Sequence, residues 1–137
     1  MDAVQEFPYL VIYWDDEIKA VVLRWRGGYT GRNLKEGLNA GLTELRRRLA
    51  TVRNAQWIGD TTDIGVIGQE EQDWIDKVWF PAFLSTGVRH MVVVQPQSAV
   101  AKLSVKGIMS KVPGTKLTVY TCSTLEDGRA WIKQQKL

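Results

Sequence analysis

The hydrophobic positions of this chain switch between two periods. Tyr9 to Trp14 is a short run of apolar, β-branched and aromatic residues, and Ile18 to Arg26, with Val21, Val22, Leu23 and Trp25, is a second. Asp15, Asp16 and Glu17 separate them, so the pair reads as a β-hairpin with a solvated acidic tip. Gly27, Gly28 and Gly31 mark the exit loop. A helical period takes over at Leu34, Leu38, Leu42, Leu45, Leu49 and Val52, which predicts an amphipathic helix with Thr30 or Gly31 as its cap. Gly37 and Gly41 lie beside this stripe, one turn apart. Each would cost about 1 kcal/mol in an exposed helix. Their presence predicts that the helix lies very close to a sheet. Arg46, Arg47 and Arg48 fall in the last turns, where positive charge suits the helix dipole.

Ala55 to Gly59 is a compact third strand that ends at Asp60, and a loop with Gly65 and Gly68 follows. Gln69, Glu70 and Glu71 open a second helix, whose apolar face is Trp74, Ile75, Val78, Trp79 and Ala82. Pro81 within that pattern predicts a kink or an early end. Val88 to Gln95 holds the continuous run Met91 to Val94, which predicts a strand covered on both faces. Gln97 to Ser110 reads as a helix with Val100, Leu103 and Ile108 inward, and Pro113 and Gly114 make a turn. Lys116 to Cys122 is the last strand. Ser123 and Glu126 match a capping box for a final helix carrying Leu125, Ala130, Trp131 and Ile132. The order β-β-α-β-α-β-α-β-α predicts the α/β class, with a mostly parallel sheet and an opening β-hairpin. The expected core includes Leu38, Leu42, Leu45, Trp74, Val92, Val94 and Trp131.

Composition narrows the class. The 137 residues suit one domain, 1–137, and the 45% hydrophobic and 24% charged fractions are ordinary for a globular chain. No apolar run approaches the roughly 18 residues of a membrane span. Met1 to Phe7 lacks the basic start and apolar stretch of a secretory signal. The single cysteine, Cys122, cannot form an internal disulfide, so a reducing cytoplasm is the expected location. The net charge is only +3 and the acids are interspersed, which argues against a nucleic-acid partner.

The run Gln72-Asp73-Trp74-Ile75-Asp76-Lys77-Val78-Trp79-Phe80-Pro81 resembles the W-I-x-x-x-W-x-P signature of the STAS family of anti-sigma-factor antagonists, in its SpoIIAA-like (STAS/SEC14-like) group. Gly87-Val88-Arg89-His90, Trp25 with the glycine-rich loop after it, and Ala130-Trp131-Ile132 are similar to that group as well. The resemblance implies a STAS-like fold over nearly the whole chain and a regulatory contact near the start of the second helix. In regulatory members a serine there is phosphorylated by a partner kinase. Here the stretch is Val66-Ile67-Gly68-Gln69-Glu70-Glu71, with no hydroxyl, so no such switch is expected. The SEC14-like label implies an apolar cavity.

Candidate chemistry is sparse. Asp60, Thr61, Thr62 and Asp63 lie at the carboxyl end of the third strand, the rim where ligands bind in open α/β sheets, although Asp and Thr also simply make turns. With Gln69 and Glu70, the residues Asp60, Thr61 and Thr62 form the candidate partner-binding site. His90 has no sequence neighbour with which to build a triad, and Cys122 lacks an activating pattern, so both read as structural. Arg46 to Arg48 with Arg53 reads as a solvated helix end. Of the six tryptophans, Trp14, Trp25 and Trp57 lie on strands, where they either pack in the core or line a pocket. No phosphate-binding, dinucleotide, nucleophile-elbow or zinc-ligand pattern occurs, so no catalytic residue, metal or cofactor is assigned. The expected function is a non-enzymatic regulatory or protein-binding module. The alternative is a domain for a small apolar molecule or lipid, with an enzyme third. Self-association into a homodimer is compatible with either of the first two.

Overall fold

The computed structural model describes residues 1–111 and 116–135. The turn expected at Pro113 and Gly114 lies outside them. Six strands form one sheet: β1 (Asp2–Phe7), β2 (Leu10–Asp15), β3 (Ala20–Trp25), β4 (Gln56–Asp60), β5 (His90–Val94) and β6 (Thr118–Cys122). The helices are α1 (Gly31–Leu49), α2 (69–84), α3 (Ala99–Met109) and α4 (Leu125–Gln134). No helix of the described residues is long and apolar enough to cross a membrane.

The class is α/β, and the strands from β3 to β6 are parallel behind an antiparallel opening. One strand escaped the sequence reading. β1 precedes the expected hairpin and pairs antiparallel with β2, so the order is β-β-β-α-β-α-β-α-β-α. Its residues Asp2 to Glu6 are exposed on both faces. A strand that buries neither face carries no hydrophobic period to read.

The strands lie in chain order across the sheet. Parallel crossovers are right-handed, so crossovers that all advance in one direction place α1, α2 and α3 on one face. The apolar residues divide accordingly. Leu10, Leu23, Trp25, Trp57 and Val93 pack with Leu34, Leu45, Trp79 and Phe83 on that face. Ala20, Val22, Ile58, Val92, Val94 and Cys122 pack with Ile132 of α4 on the other.

Close approach of α1 depends on its glycines, as the sequence predicts. A Cβ at Gly37 would lie 2.7 Å from Leu10 Cδ2 and 2.8 Å from Trp25 Cη2, and one at Gly41 2.7 Å from Leu23 Cδ2 and 2.8 Å from Trp57 Cη2. Thr30 caps α1, its hydroxyl accepting from the Asn33 N–H at 3.2 Å. At the start of α4 the cap is Thr124, not Ser123: its hydroxyl accepts from the Asp127 N–H at 3.1 Å.

Two helices depart from the expected pattern. Pro81 does not end α2, which continues to Leu84. A π-helical turn, Ile75–Trp79, interrupts α segments Gln69–Trp74 and Phe80–Leu84, and the Phe80 N–H bonds to the Ile75 carbonyl. The wider turn supplies the slack for a residue without an N–H, and it leaves Val78 55% exposed. In α3 the inward residues are Ala101, Ser104 and Val105. Val100 and Leu103, expected inside, are 59% and 70% exposed. Of the predicted core, Leu42, Leu45, Val92 and Val94 are buried, whereas Leu38, Trp74 and Trp131 are only half-buried.

Gly41→Val is expected to destabilise the protein by about 2 kcal/mol, as overpacking does, although valine improves on glycine in an exposed helix. Urea unfolding measures it. An unchanged midpoint would mean that α1 does not rest on Trp57.

Candidate functional site

The pleat of β4 decides where the expected rim residues go. Gln56, Ile58 and Asp60 share the α4 face. Asp60 lies 3.3 Å from Arg24 Nε and accepts from the Thr62 N–H at 3.1 Å and the Thr62 hydroxyl at 2.6 Å. Its carboxylate is only 5% exposed. Thr61 is buried, and its hydroxyl donates to the Val94 carbonyl at 2.5 Å. The Thr62 carbonyl accepts from the Gln97 N–H at 3.1 Å. Asp60 therefore ties β4 to β3 and shapes the following turn, while Thr61 ties β4 to β5; both side chains are buried. Gln69 and Glu70 are exposed at the start of α2, with Gln69 Nε2 donating to Asp73 Oδ1 at 2.9 Å. The strand order offers no switch-point crevice at this rim. Such crevices form where strand order reverses, and from β3 to β6 it never does.

What the corner does present is apolar. The Ile67 N–H donates to Ser104 Oγ at 3.3 Å, which seats the loop 61–68 against α3. At 100° per residue, Val100, Leu103 and Gly107 share the flank of α3 that faces α2. Gln72 Oε1 lies 3.1 Å from the place of a Cβ on Gly107 and confirms that side. Val66 (58% exposed) is next in sequence to Ile67 and so lies near α3, where Val100 and Leu103 are exposed as well. The sequence reading missed this patch because it placed Val100 and Leu103 inside. The signal available was the small pair Ala101 and Ser104, which sets the helix phase.

Beneath the corner, between the sheet and α1, α2 and α3, lies an apolar cavity of about 80 Å³. Trp25, Trp57, Trp79, Phe80, Met91 and Met109 are among its walls. The one hydroxyl there, on Thr61, is already bonded to Val94. The π-helical turn contributes Ile75 and Trp79, and Trp79 Nε1 donates to the Leu38 carbonyl at 3.0 Å. Of the strand tryptophans, Trp25 and Trp57 are thus both buried and cavity walls, while Trp14 is core.

The remaining candidate groups are structural. His90 Nδ1 lies 3.0 Å from Gln56 Oε1, and its ring meets Trp131 edge-on at 5.6 Å. Burial, then the nearby Arg89 charge, hold its pKa below the ordinary histidine value. Cys122 is buried, with Sγ 3.3 Å from the Thr124 carbonyl; burial and then Asp127 push its thiol pKa up. Arg47 and Arg48 pair with Glu44, and Arg48 lies over Trp14 at 4.4 Å. The hairpin tip is not simply solvated. Asp15 is buried and meets Arg129 Nε of α4 at 2.6 Å, while Glu17 pairs with Lys133. The tip thus anchors α4 to the sheet. Burial alone would raise the Asp15 pKa, but the hydrogen bond and charge of Arg129 outweigh it and hold it low.

Arg129→Met leaves Asp15 without its partner and is expected to cost about 2–3 kcal/mol at neutral pH. That is below the cost for a fully buried pair, because the Arg129 side chain is 26% exposed. The folded pKa is depressed, so this stabilisation is complete above the unfolded value near 4 and fades as pH falls through the folded one. Denaturation of both proteins at pH 7 and pH 3 should show the gap narrowing in acid; a constant gap would assign the loss to packing. Compared with family models, with curated proteins and with solved structures, the chain has no match, so the likeness to STAS domains rests on the motif residues alone.

Proposed function

We propose that the chain is a regulatory binding module that docks a folded protein partner at the corner of Val66, Val100 and Leu103. One observation carries the reading: Val66, Val100 and Leu103 are each more than half exposed, on two segments that the Ile67–Ser104 hydrogen bond brings together. A contiguous exposed apolar patch ringed by polar groups is the usual anatomy of a docking surface. Gln69 and Glu70 form the polar side of that ring. The STAS resemblance, which puts the regulatory contact near the start of the second helix, supports the same corner. The partner presents apolar residues beside a basic group that meets Glu70. With Thr61 buried and the Thr62 hydroxyl turned onto Asp60, the contact is read as constitutive rather than switched by phosphorylation.

Capture from host extract with quantitative mass spectrometry tests this. Val66→Asp/Leu103→Asp should lose the partner by at least about tenfold, and Glu70→Lys should weaken it with a smaller dependence on salt. Circular dichroism should report an unchanged fold. Equal recovery by wild type and both variants would move the site elsewhere.

The aromatic-walled cavity favours a second reading, a site for a small apolar molecule. At about 80 Å³ it is smaller than the roughly 150 Å³ void that takes benzene or xenon, so xenon is the fitting probe. Methyl resonances of Met91 and Met109 should shift under xenon pressure, and Ile64→Phe should abolish the shift. Silence in the wild type would leave the void a packing defect.

A further inference from the structure

We infer that the free edge of β6 is a second binding site, which takes an extended acidic peptide as an added strand. The surface lies on the opposite flank of α3 from the Val66 corner and is independent of that reading.

β6 ends the sheet. The Thr118 N–H donates to the Arg89 carbonyl and the Cys122 carbonyl accepts from the Gln95 N–H, both at 2.8 Å and both toward β5. Alternation along the strand therefore turns the N–H and C=O groups of Val119 and Thr121 outward. The two edges of the sheet differ. β1 carries Asp2, Glu6 and an irregular register between Ala3 and Gln5, the devices that protect an edge from pairing. β6 is Thr-Val-Tyr-Thr-Cys, with no charge, no proline and an unbroken register against β5. Such an edge is a ready template for a strand from another chain.

A groove of about 430 Å³ runs beside this edge under α3. Val93, Val105 and Met109 give it an apolar floor, and Lys102 and Lys106 stand on its wall. Among the described residues neither lysine forms an ion pair. Four residues of helix rise about 6 Å, close to the roughly 6.8 Å between alternate side chains of a strand. A strand added antiparallel to β6 runs in the direction of α3, so it meets Lys102, Lys106 and Met109 in that order. The matching pattern is acid-x-acid-x-apolar. The intervening side chains fall on the other face, beside Tyr120, whose hydroxyl is 3.0 Å from Asp127. That carboxylate disfavours further acids there, so the site selects alternating rather than uniform negative charge.

The probe is a capped peptide, Thr-Glu-Thr-Glu-Thr-Val-Thr, titrated into isotopically labelled protein and followed by amide NMR. Saturable shifts are expected at Val119 and Thr121 and along the Lys102 flank of α3. Lys102→Glu/Lys106→Glu should weaken binding by at least about tenfold, and a peptide with lysine for both glutamates should not bind. Thr121→Pro removes an outward donor without touching the ladder to β5, and should abolish binding. Shifts that map to β1 or to the Val66 corner, or an affinity unchanged by the double lysine variant, would overturn the proposal. So would concentration-dependent dimerisation that broadens Val119 and Thr121 without peptide, since the edge would then serve a second copy.

Discussion

Because the strands are laid down in chain order, every parallel crossover turns the same way and sets its helix on the same face of the sheet. Much else follows from that constraint. Three helices crowd one face, and the opposite face is left to α4. A lone helix over a broad sheet needs an anchor, and the Asp15–Arg129 pair with Glu17 and Lys133 ties α4 back to the hairpin tip. The same constraint removes the crevice that a reversal of strand order would open. Asp60 and Thr61 stand at the usual place for a ligand, yet Asp60 is bound to Arg24 of β3 and Thr61 to Val94 of β5.

The crowded face is packed with rings. Trp57, Trp79 and Phe83 lie with centroids 4.9–5.5 Å apart. Gly37 and Gly41 let α1 drop until the Leu10 and Leu23 methyls and the Trp25 and Trp57 rings reach its backbone. Large rigid rings fill space less evenly than aliphatic side chains, and the 80 Å³ void persists among them. The π-helical turn brings Ile75 and Trp79 to the wall of the same void. Turns of that kind gather at functional sites, and the coincidence gives the apolar-ligand reading its physical interest.

Elements that bury one face regularly were legible. The stripe of α1, the continuous run of β5 and the glycines under α1 all express a single burial constraint that sequence period reports directly. β1 was invisible because it buries nothing, and backbone pairing to β2 alone leaves no mark on hydropathy. Asp15 misled for the opposite reason. An acidic tip reads as solvated until the partner is known, and Arg129 lies 114 residues away in sequence. At the candidate site, Gln69 and Glu70 are exposed, while Asp60 and Thr61 are buried. The expectation for Asp60 and Thr61 drew on a rule about strand reversal that this topology does not meet.

The phase of α3 was misread, and magnitudes show what decides it. Hydrophobicity alone favours turning Leu103 inward, which is worth about 1.5–3 kcal/mol. At 100° per residue that rotation brings Lys106, three positions on, to within about 60° of the buried centre line. No carboxylate lines the space beneath α3, where the sheet contributes Met91 and Val93. An unpaired buried ammonium costs several kcal/mol, more than the leucine returns. The phase through Ala101, Ser104, Val105 and Ile108 buries no charge, so it wins. The same choice turns Leu103 and Val100 out on one flank and Lys102 and Lys106 out on the other. One charge-exclusion argument thus generates both surfaces of the helix, the apolar corner and the basic groove.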